Sequence, residues 1–191
     1  MGNTAICLTT KPQTCAGVKE IKEEMNSGNN LEPSSTTDKP IMARSPADHP
    51  LLSQLPEWPT KTIAVLSTLD GGPHAIPVAA PVRAGDQRIL VSLERSRGSL
   101  ARLRANPHVA LAILTAGNWA FTALGRARIV QESIPDAVNY VAVEIDVEEI
   151  EDHRSPGVVV ESGVRVQFAD DAELSLRKRI DALRELTERK P

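Results

Sequence analysis

The sequence predicts a mainly β, α+β domain: six antiparallel strands closing into a small barrel, a short helix after strand three and a second helix at the C-terminal end. Three observations predict it. From Thr62 the chain breaks into short β-branched runs separated by Gly, Asp and Asn turns, the pattern of an antiparallel sheet or barrel. Helical spacing of apolar residues marks two helices within the domain, Ser96–Ala105 and Leu174–Leu186. Aromatic residues make up only 3% of the chain, and no internal repeat is visible.

Strand one is Thr62–Leu69, closed by Asp70-Gly71-Gly72, whose glycines supply positive φ for a tight hairpin. Strand two, His74–Arg83, contains Pro77 and Pro81, which donate no ladder bond, so it is expected at an edge or bulged. Ala84-Gly85-Asp86 turns into strand three, Arg88–Leu93. The helix Ser96–Ala105 buries Leu100 and Leu103 and ends at Asn106-Pro107. Strand four is Val109–Leu114. Strand five, Trp119–Gln131, carries Gly125 at an expected bulge. Strand six is Val138–Ile150, with Val141, Val143, Ile145 and Val147 on one face and Glu144, Asp146 and Glu148 on a wet one. Val158–Phe168 is read as a seventh strand or a hairpin arm. Leu174, Leu176, Ile180, Leu183 and Leu186 mark the amphipathic C-terminal helix, its basic end complementing the helix dipole.

The barrel is therefore assigned to residues 62–168 and the last helix to 170–191. Residues 51–61 form a docking segment in which Leu51, Leu52, Leu55 and Trp58 make a short helix or collar. Residues 1–50 are polar, with few and scattered apolar side chains, and read as a disordered extension that buries too little to offset its ordering entropy.

Composition excludes several roles. Five aromatic residues and a pI near 5.8 give neither a base-stacking groove nor a phosphate-backbone surface, so no nucleic acid is expected. No run approaches the roughly 20 apolar residues that span a bilayer, and no basic head precedes an apolar stretch, so no membrane partner and a cytoplasmic location are expected. Cys7 and Cys15 lie in the polar N-terminal tract without further ligands, and His49, His74, His108 and His153 match no zinc spacing. No metal site is expected.

The densest chemistry is Ser92–Arg104, SLERSRGSLARLR, where a strand end delivers Arg95, Ser96, Arg97, Gly98 and Ser99 to a helix start. Free N–H groups, two hydroxyls and two guanidiniums suit an anion such as phosphate. The plainer reading makes Ser96 an N-cap and leaves the arginines solvated.

Taken together, DGGPHAIPV (Asp70–Val78), RILVSL (Arg88–Leu93), RANPHVAL (Arg104–Leu111) and GRARIV (Gly125–Val130) resemble the flavin-binding split β-barrel family, which includes pyridoxamine 5'-phosphate oxidase. The resemblance covers about residues 60–150. It implies a six-stranded barrel, a homodimer, and FMN, or in some branches the deazaflavin F420, in a groove between subunits. Counting back from Pro107, the family's phosphate-binding Ser-Arg-Lys triplet falls on Arg97, Gly98 and Ser99, so a serine replaces the lysine, and Arg95 and Arg97 supply the positive charge. The ring in relatives lies along strands two and three, here Pro77, Val78 and Ala79 with Ser92. Only Ser133–Val138 connects strands five and six, where many relatives place a helix.

The expected function is a flavin-dependent oxidoreductase acting on a small organic substrate, with cofactor-binding residues Pro77, Val78, Ala79, Ser92, Arg95, Arg97 and Ser99. No catalytic side chain is assigned, because the flavin carries the hydride chemistry. The alternative is a non-catalytic binding or structural dimer with the same barrel and no flavin. Haem is disfavoured by the lack of a placed axial His or Cys.

Overall fold

The computed structural model describes residues 52–188; the expectations for residues 1–50, Leu51, Cys7, Cys15 and His49 fall outside them. The elements are β1 (Ile63–Leu69), β2 (Pro73–Ala79), β3 (Val82–Gly85), β4 (Arg88–Glu94), α1 (Ser99–Ala105), β5 (His108–Thr115), β6 (Trp119–Gln131), β7 (Tyr140–Asp152) and α2 (Asp170–Glu188). The strands form one antiparallel sheet in the order β2-β1-β5-β6-β7-β4-β3.

The α+β class matches the sequence reading, but the six-stranded closed barrel does not. The sheet has seven strands and its ends are not joined by a ladder. The cause lies in the predicted strand His74–Arg83, which breaks in two. Ala80 takes φ 52°, a left-handed conformation that interrupts a strand, and Pro81 brings no N–H. The Ala80 N–H instead donates to the Thr62 carbonyl at 2.8 Å. Before the break Ala79 pairs with Ile63 of β1; after it Val82 pairs with Leu90 of β4. Three Cα steps reach at most about 11 Å, so the two ends of the sheet are brought close here. Beyond that point β2 and β4 touch without pairing, and a cleft opens between them.

Strand alternation builds the core. Ala64 and Leu66 of β1, Ile89, Val91 and Leu93 of β4, Leu111 and Ile113 of β5, Phe121 and Ala123 of β6, and Val141, Val143 and Ile145 of β7 all point inward and are buried. Leu100 and Leu103 of α1 join them, and Trp58 leans on Phe121 with ring centroids 6.0 Å apart. The described residues of segment 51–61 form no helix; the Leu55 N–H donates to the Asp86 carbonyl at 2.9 Å, and Trp58 Nε1 donates to the Pro81 carbonyl at 2.9 Å.

Gly125 sits at a bulge, as its position predicts. The register shifts there because Glu148 of β7 has no counterpart on β6, and a second shift at Val130 restores it. Strand six was expected to be half wet, yet Ala142 and Glu144 are buried too. Two things cover that face. Leu183 of α2 packs against Leu90 and Ala142, and Glu144 is clamped by Arg88 at 2.8 Å and Arg128 at 2.5 Å.

Two further expectations are corrected. The first helix starts at Ser99 rather than Ser96; Gly98 is its N-cap, with no side-chain cap bond. Residues 158–168 form neither strand nor hairpin arm: they run irregularly past the β5–β6 turn, where the Asn118 side chain accepts from the Val160 N–H at 3.0 Å. In α2, Asp170, Asp171 and Glu173 stand in the first turn and complement the dipole there, while Arg189 and Lys190, the basic end expected from the sequence, lie outside the described residues.

Candidate functional site

The cleft between β2 and β4 holds a cavity of about 230 Å³ lined by Ile76, Pro77, Val78, Ala79, Ser92, Leu93, Glu94, Arg97, Ser99, Tyr140 and Arg179. It lies next to the strand interruption at Ala80-Pro81, where β2 and β4 touch without pairing. Six of the seven residues nominated from sequence line it: Pro77, Val78 and Ala79 from one wall, Ser92 from the other, and Arg97 and Ser99 at the end nearest α1. Arg95 does not. Its side chain is exposed and donates to the Glu132 carbonyl.

The end of the cavity nearest α1 is built from side chains. With seven residues, α1 is too short to contribute much as a dipole. Ser99 is 1% exposed and its Oγ has no hydrogen-bond partner among the described residues. A buried hydroxyl without a partner is uncommon and costly, and this one borders a cavity. Arg97 Nε donates to Glu94 at 3.0 Å, and Ser96 Oγ donates to the same carboxylate at 3.0 Å. Those two bonds, Arg97 first, hold the Glu94 carboxyl below its ordinary value. The bland N-cap role for Ser96 is therefore replaced by a bond to Glu94.

Sequence reasoning missed two residues of this cavity. Tyr140 enters from the start of β7, and Arg179 from α2. Arg179 is 8% exposed; its Nη1 donates to Ser92 Oγ at 3.1 Å, its Nε to the Ser175 carbonyl at 3.3 Å, and its guanidinium lies 4.0 Å from the Tyr140 ring centroid. Burial pushes the guanidinium below its ordinary value, opposed by Tyr140 and Glu94. The signal was present in the sequence. Leu176, Ile180 and Leu183 form the buried stripe of α2, and Arg179 occupies a position on that same stripe, three residues after Leu176.

The remaining candidates lie elsewhere. His74 is half-buried on β2 and is not a lining residue. His108 contacts Arg126 at 3.0 Å, and His153 contacts Thr122 at 2.8 Å. Phe121 is fully buried in the core and Trp119 packs against it, with Arg154 5.4 Å from the Trp119 ring centroid. Among the described residues no group of three or more His, Cys, Asp or Glu is placed to hold a metal ion, and no helix is long and apolar enough to cross a membrane.

No family model matches the chain, and no curated protein is similar to it. Solved structures similar to it include a candidate pyridoxamine 5'-phosphate oxidase from Listeria innocua, with 18% identity over 49% of this chain and 90% of that one and a TM-score of 0.42. Others are a FAD-binding protein from Mesorhizobium loti, with 15% identity over 47% and 81% and a TM-score of 0.38, and an F420 reductase, with 12% identity over 48% and 90% and a TM-score of 0.42. Their names speak of pyridoxamine 5'-phosphate oxidase, FAD binding and F420 reduction, each said of that protein. At these identities the likeness concerns the fold alone.

Proposed function

We propose that the β2–β4 cleft is a binding site for a flavin-type cofactor, FMN or F420, and that the protein is an oxidoreductase acting on a small organic substrate. One observation carries this reading: six residues nominated from sequence for a flat ring and a phosphate line a single cavity, with an unpartnered buried hydroxyl at its phosphate end. Ser99 Oγ and Arg97 would hold the phosphate. Pro77, Val78 and Ala79 present no bulky side chain, which lets a planar ring approach the backbone. When bound, the cofactor supplies hydride transfer; the chain's own residues bind it, orient it and limit water at its anionic end.

The cavity is smaller than the roughly 300–1,000 Å³ of sites that enclose a drug-sized ligand. Part of the cofactor would therefore lie outside it, where a second copy of the chain would cover it. The outward face of β1 and β5 supports a homodimer, because Val65, Leu69 and Leu114 are exposed there beside the small Ala110 and Ala112.

The test is an absorbance titration of the full-length chain with FMN and, separately, F420, together with its mass by light scattering. Saturable binding of either by a dimer is the expected result. Binding of neither would overturn the reading and leave a dimer without a flavin as the function to pursue.

A further inference from the structure

We propose that Arg179 of α2, with the hydroxyls of Ser92 and Ser99, forms a binding site for a phosphate monoester, so that the C-terminal helix completes the cleft. The inference rests on the cofactor reading of that cavity and deepens it by naming the group that takes the dianion.

Arg179 is buried without a counter-charge among the described residues. Buried arginines are nearly always paired with a carboxylate or another anion. Among the described residues no carboxylate lies within ion-pair distance of Arg179, whereas the other nearly buried guanidinium, Arg154, is paired with Asp152 at 2.5 Å. A guanidinium has five N–H donors. Arg179 spends one on Ser92 and one on the Ser175 carbonyl, and Nη2 has no partner among the described residues.

The surroundings do not explain the burial by packing alone. Arg179 shares its stripe with Leu176, Ile180 and Leu183, whose neighbours Ala80, Leu90 and Ala142 are apolar. A leucine or methionine there would serve the α2 interface without desolvating a charge, and such replacements of buried ions are commonly neutral or stabilising. The charge is instead held in place, stacked on Tyr140 and oriented by Ser92. It borders the same cavity as the orphaned Ser99 hydroxyl. A fork of N–H donors beside hydroxyls matches phosphate oxygens, which accept several bonds at once. It also resolves the missing lysine: the positive charge absent at Ser99 enters from α2, through space, and not from Arg95.

The test compares FMN, riboflavin and inorganic phosphate as probes of the full-length chain and of Arg179→Met, Arg179→Lys and Ser99→Ala. Arg179→Met is expected to melt at or above the parent temperature, to bind FMN at least tenfold more weakly, and to leave riboflavin affinity unchanged, since riboflavin has no phosphate. Arg179→Lys should recover part of the FMN affinity. Ser99→Ala should be no less stable, because it removes an unsatisfied hydroxyl, and should also lose FMN more than riboflavin; it carries the test should Arg179→Met fail to fold. Equal FMN affinity in parent and Arg179→Met, or equal losses for FMN and riboflavin, would overturn this assignment while leaving the flavin reading standing. Phosphate binding that depends on Arg179 in a chain that binds no flavin would uphold the site and overturn the flavin reading. A parent chain that binds none of the three probes would overturn this assignment, and one that also fails to bind F420 would overturn the cofactor reading with it.

Discussion

Gly125→Ala should destabilise the protein severely, and the structure says by how much. A Cβ built on Gly125 would stand 2.0 Å from the Asp146 carbonyl oxygen, 2.9 Å from its carbon and 3.0 Å from Val147 Cα. All three atoms are backbone, so no rotamer change relieves the contact, and β7 would have to recede by about 1 Å at the bulge. Overpacking of this kind costs about 1–3 kcal/mol, and parting the β6–β7 ladder adds about 1 kcal/mol per bond lost. A total of about 3 kcal/mol corresponds to a fall in melting temperature of about 6–12 °C for a chain of this size. The control is Gly98→Ala. Gly98 has φ −61° and nothing within 4 Å of its would-be Cβ, so its melting temperature should stay within about 2 °C of the parent. Thermal melts of both variants by circular dichroism decide the matter. A Gly125→Ala protein that melts within about 2 °C of the parent would refute the claim that this close approach fixes the β6–β7 register.

Three further outcomes are expected. Glu144→Ala leaves Arg88 without its carboxylate and should cost about 3 kcal/mol in denaturant unfolding; adding Arg88→Leu should restore part of that, and strictly additive losses would argue against the clamp. Glu94→Gln removes a negative charge from the cavity wall and frees Arg97, so FMN should bind severalfold more tightly at low salt, with the gain shrinking as salt is raised. Glu94 and Glu173 both have carboxyls held below the ordinary 4.5, Glu94 by Arg97 and Ser96 and Glu173 by Lys61 and Arg177. Their stabilising contribution is therefore present above pH 4.5 and lost as pH falls through the lowered values; acid melts of Glu173→Gln should decline less steeply than those of the parent, and identical slopes would remove Glu173 from the account.

The strands were legible in the sequence because their signals are local. Alternation along Ile63–Leu69 and Trp119–Gln131, the Asp70-Gly71-Gly72 turn and the lone Gly125 each report on a few neighbouring residues, and each was placed from them. Half of the cavity was legible for the same reason: Pro77, Val78 and Ser92 belong to motifs whose order along the chain carries the resemblance, and Ala79, Arg97 and Ser99 are reached by counting from those motifs.

Tertiary structure decided the rest. Nothing local says that Ala80 adopts left-handed backbone; that follows from β2 and β3 being claimed by different partners, β1 and β4. Glu144 looked wet because alternation reports one face at a time, whereas α2, Arg88 and Arg128 cover the other. Arg179 looked like one more charge on a charged helix. Its burial exists only because α2 lies across β3 and β4, bringing together residues 87 positions apart in the chain. Sequence pattern thus determined most of the segments that form strands and helices, through short-range sterics and periodicity, but not the split of His74–Arg83 or the irregular course of residues 158–168. Which faces are covered, and by what, was settled by long-range packing, because burial is a property of the assembled layers and not of any one of them.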